Sequence, residues 1–308
     1  MPDLWQLTMS YAAAAICAAA ACLAVLSRGR PQAPEAAPAA HFRGAGSFVL
    51  GSLAGLTVQG VMPAVPPVSG LDRWLLIALP FLLAVDAGAS LLLNARAERL
   101  LRLAAAAAVA PVILWGSIHF EVAPELRILP QLTLGGLLTV STAACVLIMM
   151  TAQTHRPCDA HPVLRAGLVI LTLQSAAAAV MLGGWIRGGT AALPLAGSGL
   201  GILFASLVLQ QPLAAAAVIR WSVWSLCGVL LTGHFFGRLS LLQSALLCTA
   251  ASVPLLVPLP AKSAAKTLRT TIICLLTLLL LVLVLVPAVI AFLSRMQPLL
   301  ALQYDIRG

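Results

Sequence analysis

The sequence contains very little charge: 9 % of its 308 residues are Asp, Glu, Lys or Arg, whereas 61 % are hydrophobic. Such a chain has too little polar surface to cover one large globular core, which excludes an ordinary soluble domain. Lys and Arg number 18 against 9 Asp and Glu. The basic residues stand one to three at a time between apolar runs, as in membrane topology, so nucleic acid is not an expected partner.

Several other signatures are missing. The sequence shows no phosphate-binding glycine loop, no nucleophile elbow and no zinc-protease motif. Six of the seven cysteines lie in apolar segments, so no disulfide framework is expected. We therefore expect no catalytic residues and no cofactor, and at most a non-catalytic subunit of an enzyme complex.

Runs of apolar residues dominate what is present. About 20 such residues suffice to cross the hydrocarbon of a bilayer as a helix. We predict an all-α polytopic bundle of about ten transmembrane helices, forming one domain over residues 1–308 with no sizeable extramembrane part. The predicted spans are 5–27, 47–68, 74–94, 101–120, 131–152, 163–185, 191–210, 212–233, 239–259 and 270–294. Residues 28–46, rich in Pro and Ala, are predicted to form a flexible cytoplasmic linker.

The basic residues also predict an orientation, because short loops rich in Arg and Lys stay in the cytoplasm. An N-out, C-out topology places the larger basic set inside. That set is Arg28, Arg30, Arg43, Arg96, Arg99, Arg102, Arg156, Arg165, Lys262, Lys266 and Arg269. Heavy use of Ala and Leu indicates a GC-rich bacterial genome, so we expect a multi-pass protein of the bacterial inner membrane.

One acidic residue, Asp86, lies deep within an apolar run. A carboxylate in hydrocarbon costs at least about 3 kcal/mol and marks a functional site by default. Ser90 and Asn94 follow it at i+4 and i+8, so the three share a helix face and could form an ion path. Alternatively Arg220, predicted at a similar depth, forms a structural ion pair with Asp86. If Arg220 instead extends to the inner surface, Asp86 remains available to titrate.

Other polar residues have a structural interpretation as well as a functional one. Three glutamines, Gln59, Gln174 and Gln243, lie within predicted spans, where hydrogen bonds between helices are commoner than a hydrophilic cavity. Glycines at 51 and 55, and at 197, 199 and 201, allow close helix approach. The outer acids at positions 72, 121 and 125 are interpreted as solvated loop ends.

Two candidate sites for bound groups are weak. The loop HRPCDAH carries the possible metal ligands His155, Cys158, Asp159 and His161, although its prolines restrict convergence and a solvated turn explains it. A bis-histidine haem would require His119 and His234 to face each other across the bundle. We therefore predict no metal site and no haem, with these residues as the candidates to examine.

Three segments of the C-terminal half resemble antiporter-like subunits of respiratory NADH:quinone oxidoreductase and Mrp-type cation/proton antiporters. These are SLCGVLLTGHFFGRL, LGGLLTVSTAACVLIMMTAQ upstream, and LLVLVLVPAVIAFLSRMQPLLAL downstream. The resemblance implies that Arg238 stands where the family has a membrane-embedded lysine of the proton path, within a broken helix. Because arginine does not release its proton, Arg238 would be a fixed charge.

These observations favour an integral subunit of a bacterial inner-membrane complex, respiratory or ion-translocating, containing a degenerate proton or cation channel module. Its expected partners are the lipid bilayer and other membrane subunits. A stand-alone secondary transporter with Asp86 as the coupling site is one alternative. A haem-bearing electron-transfer subunit is another.

Overall fold

The computed structural model describes residues 3–26, 37–89, 95–114, 162–209, 212–256 and 265–305. Within these ranges the chain is all-helical and contains no strand, which confirms the all-α part of the predicted fold class. The helices are α1 (Leu4–Leu26), α2 (Ala37–Gln59), α3 (Gly70–Arg73, Trp74–Ala78 and Leu79–Ala89 in succession), α4 (Ala95–Leu114), α5 (Pro162–Leu182), α6 (Ile186–Val208), α7 (Pro212–Phe235), α8 (Leu241–Leu256) and α9 (Ala265–Asp305).

Local chemistry explains where several helices begin and end. Both α5 and α7 start at a proline, which is favoured at the first helical position because its missing N–H would have no partner there. Gly60 after α2 and Gly184 after α5 have φ of 69° and 103°, the left-handed conformation that ends many helices. The bundle therefore has sharply defined helix ends at these positions.

Some helices begin before the predicted membrane spans. Helix α2 begins at Ala37, so residues 37–46 of the predicted linker are helical, while residues 28–36 lie outside the described ranges. Helix α4 begins at Ala95, before the predicted span 101–120. The predicted span 131–152 lies outside the described residues.

Four helices of the described chain are long and apolar enough to cross a membrane. They are Leu4–Val25, Val163–Leu182, Ile186–Val208 and Leu268–Arg295, and Leu241–Leu255 is a shorter apolar helix. The last long helix is mostly uncovered: Leu275 and Leu279 are 61 % and 55 % exposed. A helix this apolar with this much exposed surface is compatible with lipid around it.

Close helix packing is centred on small residues. Helices α1, α2 and α6 pack against one another, and α5, α6 and α7 occupy the middle of the bundle. A Cβ added at Gly51 of α2 would lie 2.6 Å from the Ala14 carbonyl oxygen of α1, and one at Gly197 of α6 would lie 2.7 Å from that of Tyr11. Both helices therefore approach the backbone of α1 through glycine.

Contacts between helix ends define two ends of the bundle. Arg187 at the start of α6 lies 4.0 Å from Asp72 in α3. Arg73 beside it donates to the Ile113 carbonyl near the end of α4. We call this the Asp72 end, and the opposite one, towards which α3 runs as far as its last described residue, Ala89, the Ala89 end. Helix α4 finishes at the Asp72 end.

Candidate functional site

Helices α3 and α7 run antiparallel, and three pairs of residues mark their register. Gly70 lies against the Phe236 ring just beyond α7, and a Cβ at Gly228 would overlap the Trp74 indole nitrogen. Further along, Asp86 meets Arg220. The two helices thus approach each other at glycines, and this close packing brings a carboxylate and a guanidinium together.

Asp86 receives N–H groups from two other helices. Its Oδ1 lies 2.9 Å from Arg102 Nε of α4 and 2.9 Å from Arg220 Nε of α7. Arg220 Nε donates to Oδ2 at 3.1 Å, and Trp221 Nε1 donates to the same oxygen at 3.2 Å. The Arg102 Nε contact is an ion pair without the alignment of a hydrogen bond. We call Asp86, Glu98, Arg102 and Arg220 the charge network.

The network continues to Glu98, one turn before Arg102 on α4. Arg102 Nη1 lies 2.5 Å from Glu98 Oε1. All four side chains are buried, with 1 % of Asp86, 8 % of Glu98, 3 % of Arg102 and 4 % of Arg220 exposed. Two carboxylates and two guanidiniums sum to zero charge, which is the arrangement that buried ions require.

Sequence reasoning missed Arg102 and Glu98. It counted Arg102 in the basic set on the cytoplasmic side and selected neither residue for the site, whereas α4 begins at Ala95 and buries both. Their i, i+4 spacing, with Glu before Arg, was the available signal. Arg220, in contrast, does not extend to the surface: it pairs with Asp86.

A tryptophan holds the network against α2. A Cβ at Gly44 of α2 would lie 2.6 Å from the Trp221 ring, and the Phe48 ring centroid lies 5.8 Å from that of Trp221. Since the indole also donates to Asp86, its orientation depends on both contacts. The site therefore joins α2, α3, α4 and α7.

The network lies off the middle of the bundle. By the helical rise, Arg102 is about 10 Å from the start of α4 and Arg220 about 12 Å from the start of α7. Asp86 is three residues from Ala89, the last described residue of α3. Because the three charges contact one another, they lie at one level of the bundle, nearer the Ala89 end on α4 and α7.

This geometry restricts the chemistry of Asp86. The two guanidiniums beside the carboxylate compensate its charge, which is what burial of an ion requires. Protonating it would remove one of the two negative charges of the charge network. The arrangement therefore suits a fixed charge better than a group that repeatedly binds and releases a proton.

The other candidate ion-path residues are not brought to this site. Ser90 and Asn94 lie outside the described ranges. Arg238 is exposed in the connection between α7 and α8, both of which are continuous helices. This differs from the embedded, broken-helix position that the family resemblance implies for it.

The three glutamines have different surroundings. The Gln174 amide nitrogen hydrogen-bonds to the Tyr11 hydroxyl, which links α5 to α1. Gln243 instead accepts hydrogen bonds from the backbone and hydroxyl of Ser240, so it caps its own helix and is not bound to another. Gln59 is buried, and its amide has no hydrogen-bond partner in the described part of the chain.

The weak metal and haem candidates are mostly outside the described ranges. His155, Cys158, Asp159, His161 and His119 all lie there. His234 is half-buried at the end of α7, with Nδ1 3.0 Å from the Leu239 carbonyl oxygen. Among the residues that the structure describes, no three His, Cys, Asp or Glu side chains converge as a metal site would require.

A third buried carboxylate, Asp72, lies at the Asp72 end. It is 2 % exposed, so its interpretation as a solvated loop end is wrong. Asp72 accepts hydrogen bonds from Ser69 Oγ at 2.6 Å, Ser69 N at 3.0 Å and Ala64 N at 3.1 Å. Burial acts to raise the pKa of Asp72, but these hydrogen bonds and Arg187 outweigh it and lower the pKa below its ordinary value. Its role is to cap α3.

Comparisons with known proteins give no match: neither family models, nor curated proteins, nor solved structures show significant similarity to the chain.

Proposed function

We propose that the chain is a multi-pass protein of the bacterial inner membrane that serves as a non-catalytic subunit of a respiratory or ion-translocating complex. The observation that carries the proposal is the charge network. Asp86, the acid within an apolar run, is neutralised by Arg102 and Arg220 instead of being available for coupling. Such a network suits a protein that fixes charge within a larger assembly.

We propose ten membrane crossings with both termini outside, and the helix directions support this topology. Helices α4 and α5 both run from the Ala89 end to the Asp72 end, as the one crossing predicted between them, 131–152, requires. The contact between Arg295 of α9 and the Gly183 carbonyl places the end of the last apolar span beside the end of α5. Helix α1 runs parallel to α6, so its start lies at the same end.

Site-directed labelling tests the topology. In a background with the seven cysteines replaced by alanine, we expect Arg238→Cys to react with an impermeant maleimide from outside the cell. Arg96→Cys, exposed at the other end, should react only after permeabilisation. Labelling of both from the same side would contradict the topology.

Purification tests the subunit assignment. The tagged native protein, extracted in a gentle detergent, should retain partner subunits in fixed stoichiometry by mass spectrometry. A stable, solitary protein that transports an ion when reconstituted alone would overturn the proposal. The Arg238→Gln variant, altered at an exposed site, is the matched control for the Asp86→Asn variant in both preparations.

A stand-alone secondary transporter is the second candidate, and the shape of α3 favours it. This helix is interrupted by a π turn at Trp74–Ala78, and interrupted helices near buried charges are common in transporters. In proteoliposomes, the transporter assignment expects Asp86→Asn to abolish uptake and Arg238→Gln to preserve it. Uptake that is unchanged in Asp86→Asn would exclude coupling through this carboxylate.

A further inference from the structure

The last helix carries an exposed arginine at the Asp72 end. Arg295 of α9 is exposed, and its Nη1 lies 3.4 Å from the Gly183 carbonyl oxygen just after α5. This contact is at the long limit of a hydrogen bond and involves one of the several N–H groups of the guanidinium. No carboxylate pairs with Arg295 in the described part of the chain. Its charge is therefore accessible to a ligand that lies along α9.

An apolar strip on the side of α9 leads to this arginine. Counting back from Arg295 in steps of three or four residues gives positions that share one side of the helix. These are Ala291, Pro287, Leu283, Leu280 and Leu276, and we call them the α9 strip. All but the half-buried Leu280 are exposed, Leu283 by 50 % and Leu276 by 41 %. From Arg295 to Leu283 the helix rises about 18 Å, close to the ~15 Å of hydrocarbon in one leaflet.

Tryptophans indicate that this end lies at the level of lipid headgroups. Trp5, in the first turn of α1, is 68 % exposed. Half-buried Trp185 joins α5 to α6, and its ring centroid lies 6.1 Å from that of Phe236 just beyond α7. Tryptophan is enriched where the hydrocarbon of a bilayer meets the headgroups. Because Arg295 contacts Gly183, two residues before Trp185, its guanidinium lies close to that level.

Two other exposed arginines lie near the same turn but not on the α9 strip. Arg187, in the first turn of α6, lies 4.0 Å from Asp72, which partly compensates its charge. Arg238 precedes α8, and its carbonyl carbon lies 3.8 Å from a Cβ added at Gly183. Both raise the positive charge of the Asp72 end. Of these three arginines, Arg295 is the one that continues an exposed apolar side of a helix.

We propose that Arg295 binds the phosphate of an anionic phospholipid whose acyl chains lie along the α9 strip. A guanidinium matches the oxygens of a phosphate group, and basic sites beside membrane helices recognise lipid headgroups. The α9 strip contains no polar side chain over the depth of one leaflet, which fits acyl chains and does not fit an acidic protein segment. The inference rests on the proposed membrane insertion of α9, but not on whether the chain is a subunit or a transporter.

Photocrosslinking in nanodiscs tests the lipid site. Ala291→benzoylphenylalanine places a photoreactive group on the α9 strip, one turn from Arg295. The nanodiscs contain equal amounts of phosphatidylglycerol and phosphatidylcholine with identical acyl chains, and mass spectrometry identifies the captured lipid. We expect phosphatidylglycerol to be captured about fivefold more often, which is the factor that one arginine near an anionic headgroup supplies. Adding Arg295→Gln should bring the capture ratio to about one.

Charge-matched variants separate this site from the general charge of the Asp72 end. Arg187→Gln and Arg238→Gln each remove one exposed positive charge near the same turn, and both should leave the capture ratio at position 291 nearly unchanged. Leu275→benzoylphenylalanine, at an exposed position towards the other end of α9, is the positional control. The capture ratio there should not respond to Arg295→Gln.

Several results would overturn the lipid site. These are equal capture of the two lipids, a ratio that Arg295→Gln does not change, an equal loss in all three arginine variants, and capture of a partner protein instead of lipid in native membranes. A chain that remains soluble without detergent and enters no nanodisc would overturn the membrane assignment together with the site. Insertion into nanodiscs without headgroup selectivity would overturn the site alone.

Discussion

Removing single charges from the network should destabilise the protein in proportion to the charge that is left uncompensated. At 2.9 Å, one charge pair attracts by about 6 kcal/mol at an effective dielectric constant of about 20. Desolvation offsets part of this energy, and removal of one partner from a buried pair costs about 3–5 kcal/mol. Asp86→Asn leaves the network with a charge of +1, and Arg220→Gln leaves it with −1.

The double variant Asp86→Asn/Arg220→Gln makes this reasoning testable. It retains Arg102 and Glu98, which neutralise each other at 2.5 Å. We therefore expect the double variant to be destabilised by less than the sum of the single variants, with a coupling free energy of about 1–3 kcal/mol. Arg238→Gln, exposed beyond α7, should change stability by no more than about 0.5 kcal/mol.

Reversible unfolding in mixed micelles, followed by circular dichroism, gives the four free energies of unfolding of the cycle. The charge-balance account predicts clear non-additivity for the Asp86 and Arg220 pair and additivity for Asp86 with Arg238. Additive losses for Asp86 and Arg220 would refute it, because they would show that each side chain is stabilised by contacts that do not involve the other.

Three further predictions concern the rest of the bundle. A Cβ at Gly201 would overlap the Ala15 carbonyl oxygen, whereas one at Gly46 would meet nothing within 4 Å. Gly201→Ala should therefore lower the free energy of unfolding by about 1–3 kcal/mol, and Gly46→Ala should lower it much less, in the same unfolding assay. Asp72→Asn should cost about 1 kcal/mol near neutral pH by weakening the α3 cap. Because the native pKa of Asp72 is lowered, its stabilisation is present above the ordinary carboxyl pKa and is lost as pH falls through the native value. The difference in melting temperature between the wild-type protein and Asp72→Asn should therefore shrink from neutral to acid pH. A difference that stays constant would contradict this. Tyr11→Phe and Gln174→Leu should be non-additive in a double-mutant cycle, since they share one hydrogen bond, while additivity would exclude that bond.

The helical class, and Arg220 as one of two alternatives for the surroundings of Asp86, follow from simple features of the sequence. Apolar runs of membrane length allow only a few architectures, and counting residues along each run places Asp86 and Arg220 at similar depth. Arg102 was not recognised as a partner of Asp86, because it follows Arg96, Glu98 and Arg99 in a stretch that resembles a charged loop. Only the packing of α4 against α3 shows that the helix begins earlier.

Local capping and propensity explain the other differences. Gln243 lies three residues after Ser240, and Asp72 three after Ser69, which is the spacing of a capping box. Gln243 was interpreted as a residue within a membrane span and Asp72 as a solvated loop end. The nearest hydrogen-bond partner of each is the serine three residues earlier, at the start of its own helix. Residues 37–46 were assigned to a linker, but alanine is the best helix former and proline is tolerated in the first turn.

The charge state of Asp86 is the most direct test of the account, because the proposed role rests on a carboxylate held between Arg102 and Arg220. Infrared spectra of the purified wild-type protein and of Asp86→Asn, recorded near neutral pH, report protonated carboxyl groups. The account predicts that the substitution removes no protonated-carboxyl band. A band present in the wild-type protein and absent from Asp86→Asn would show that Asp86 carries a proton, and would contradict the fixed-charge network.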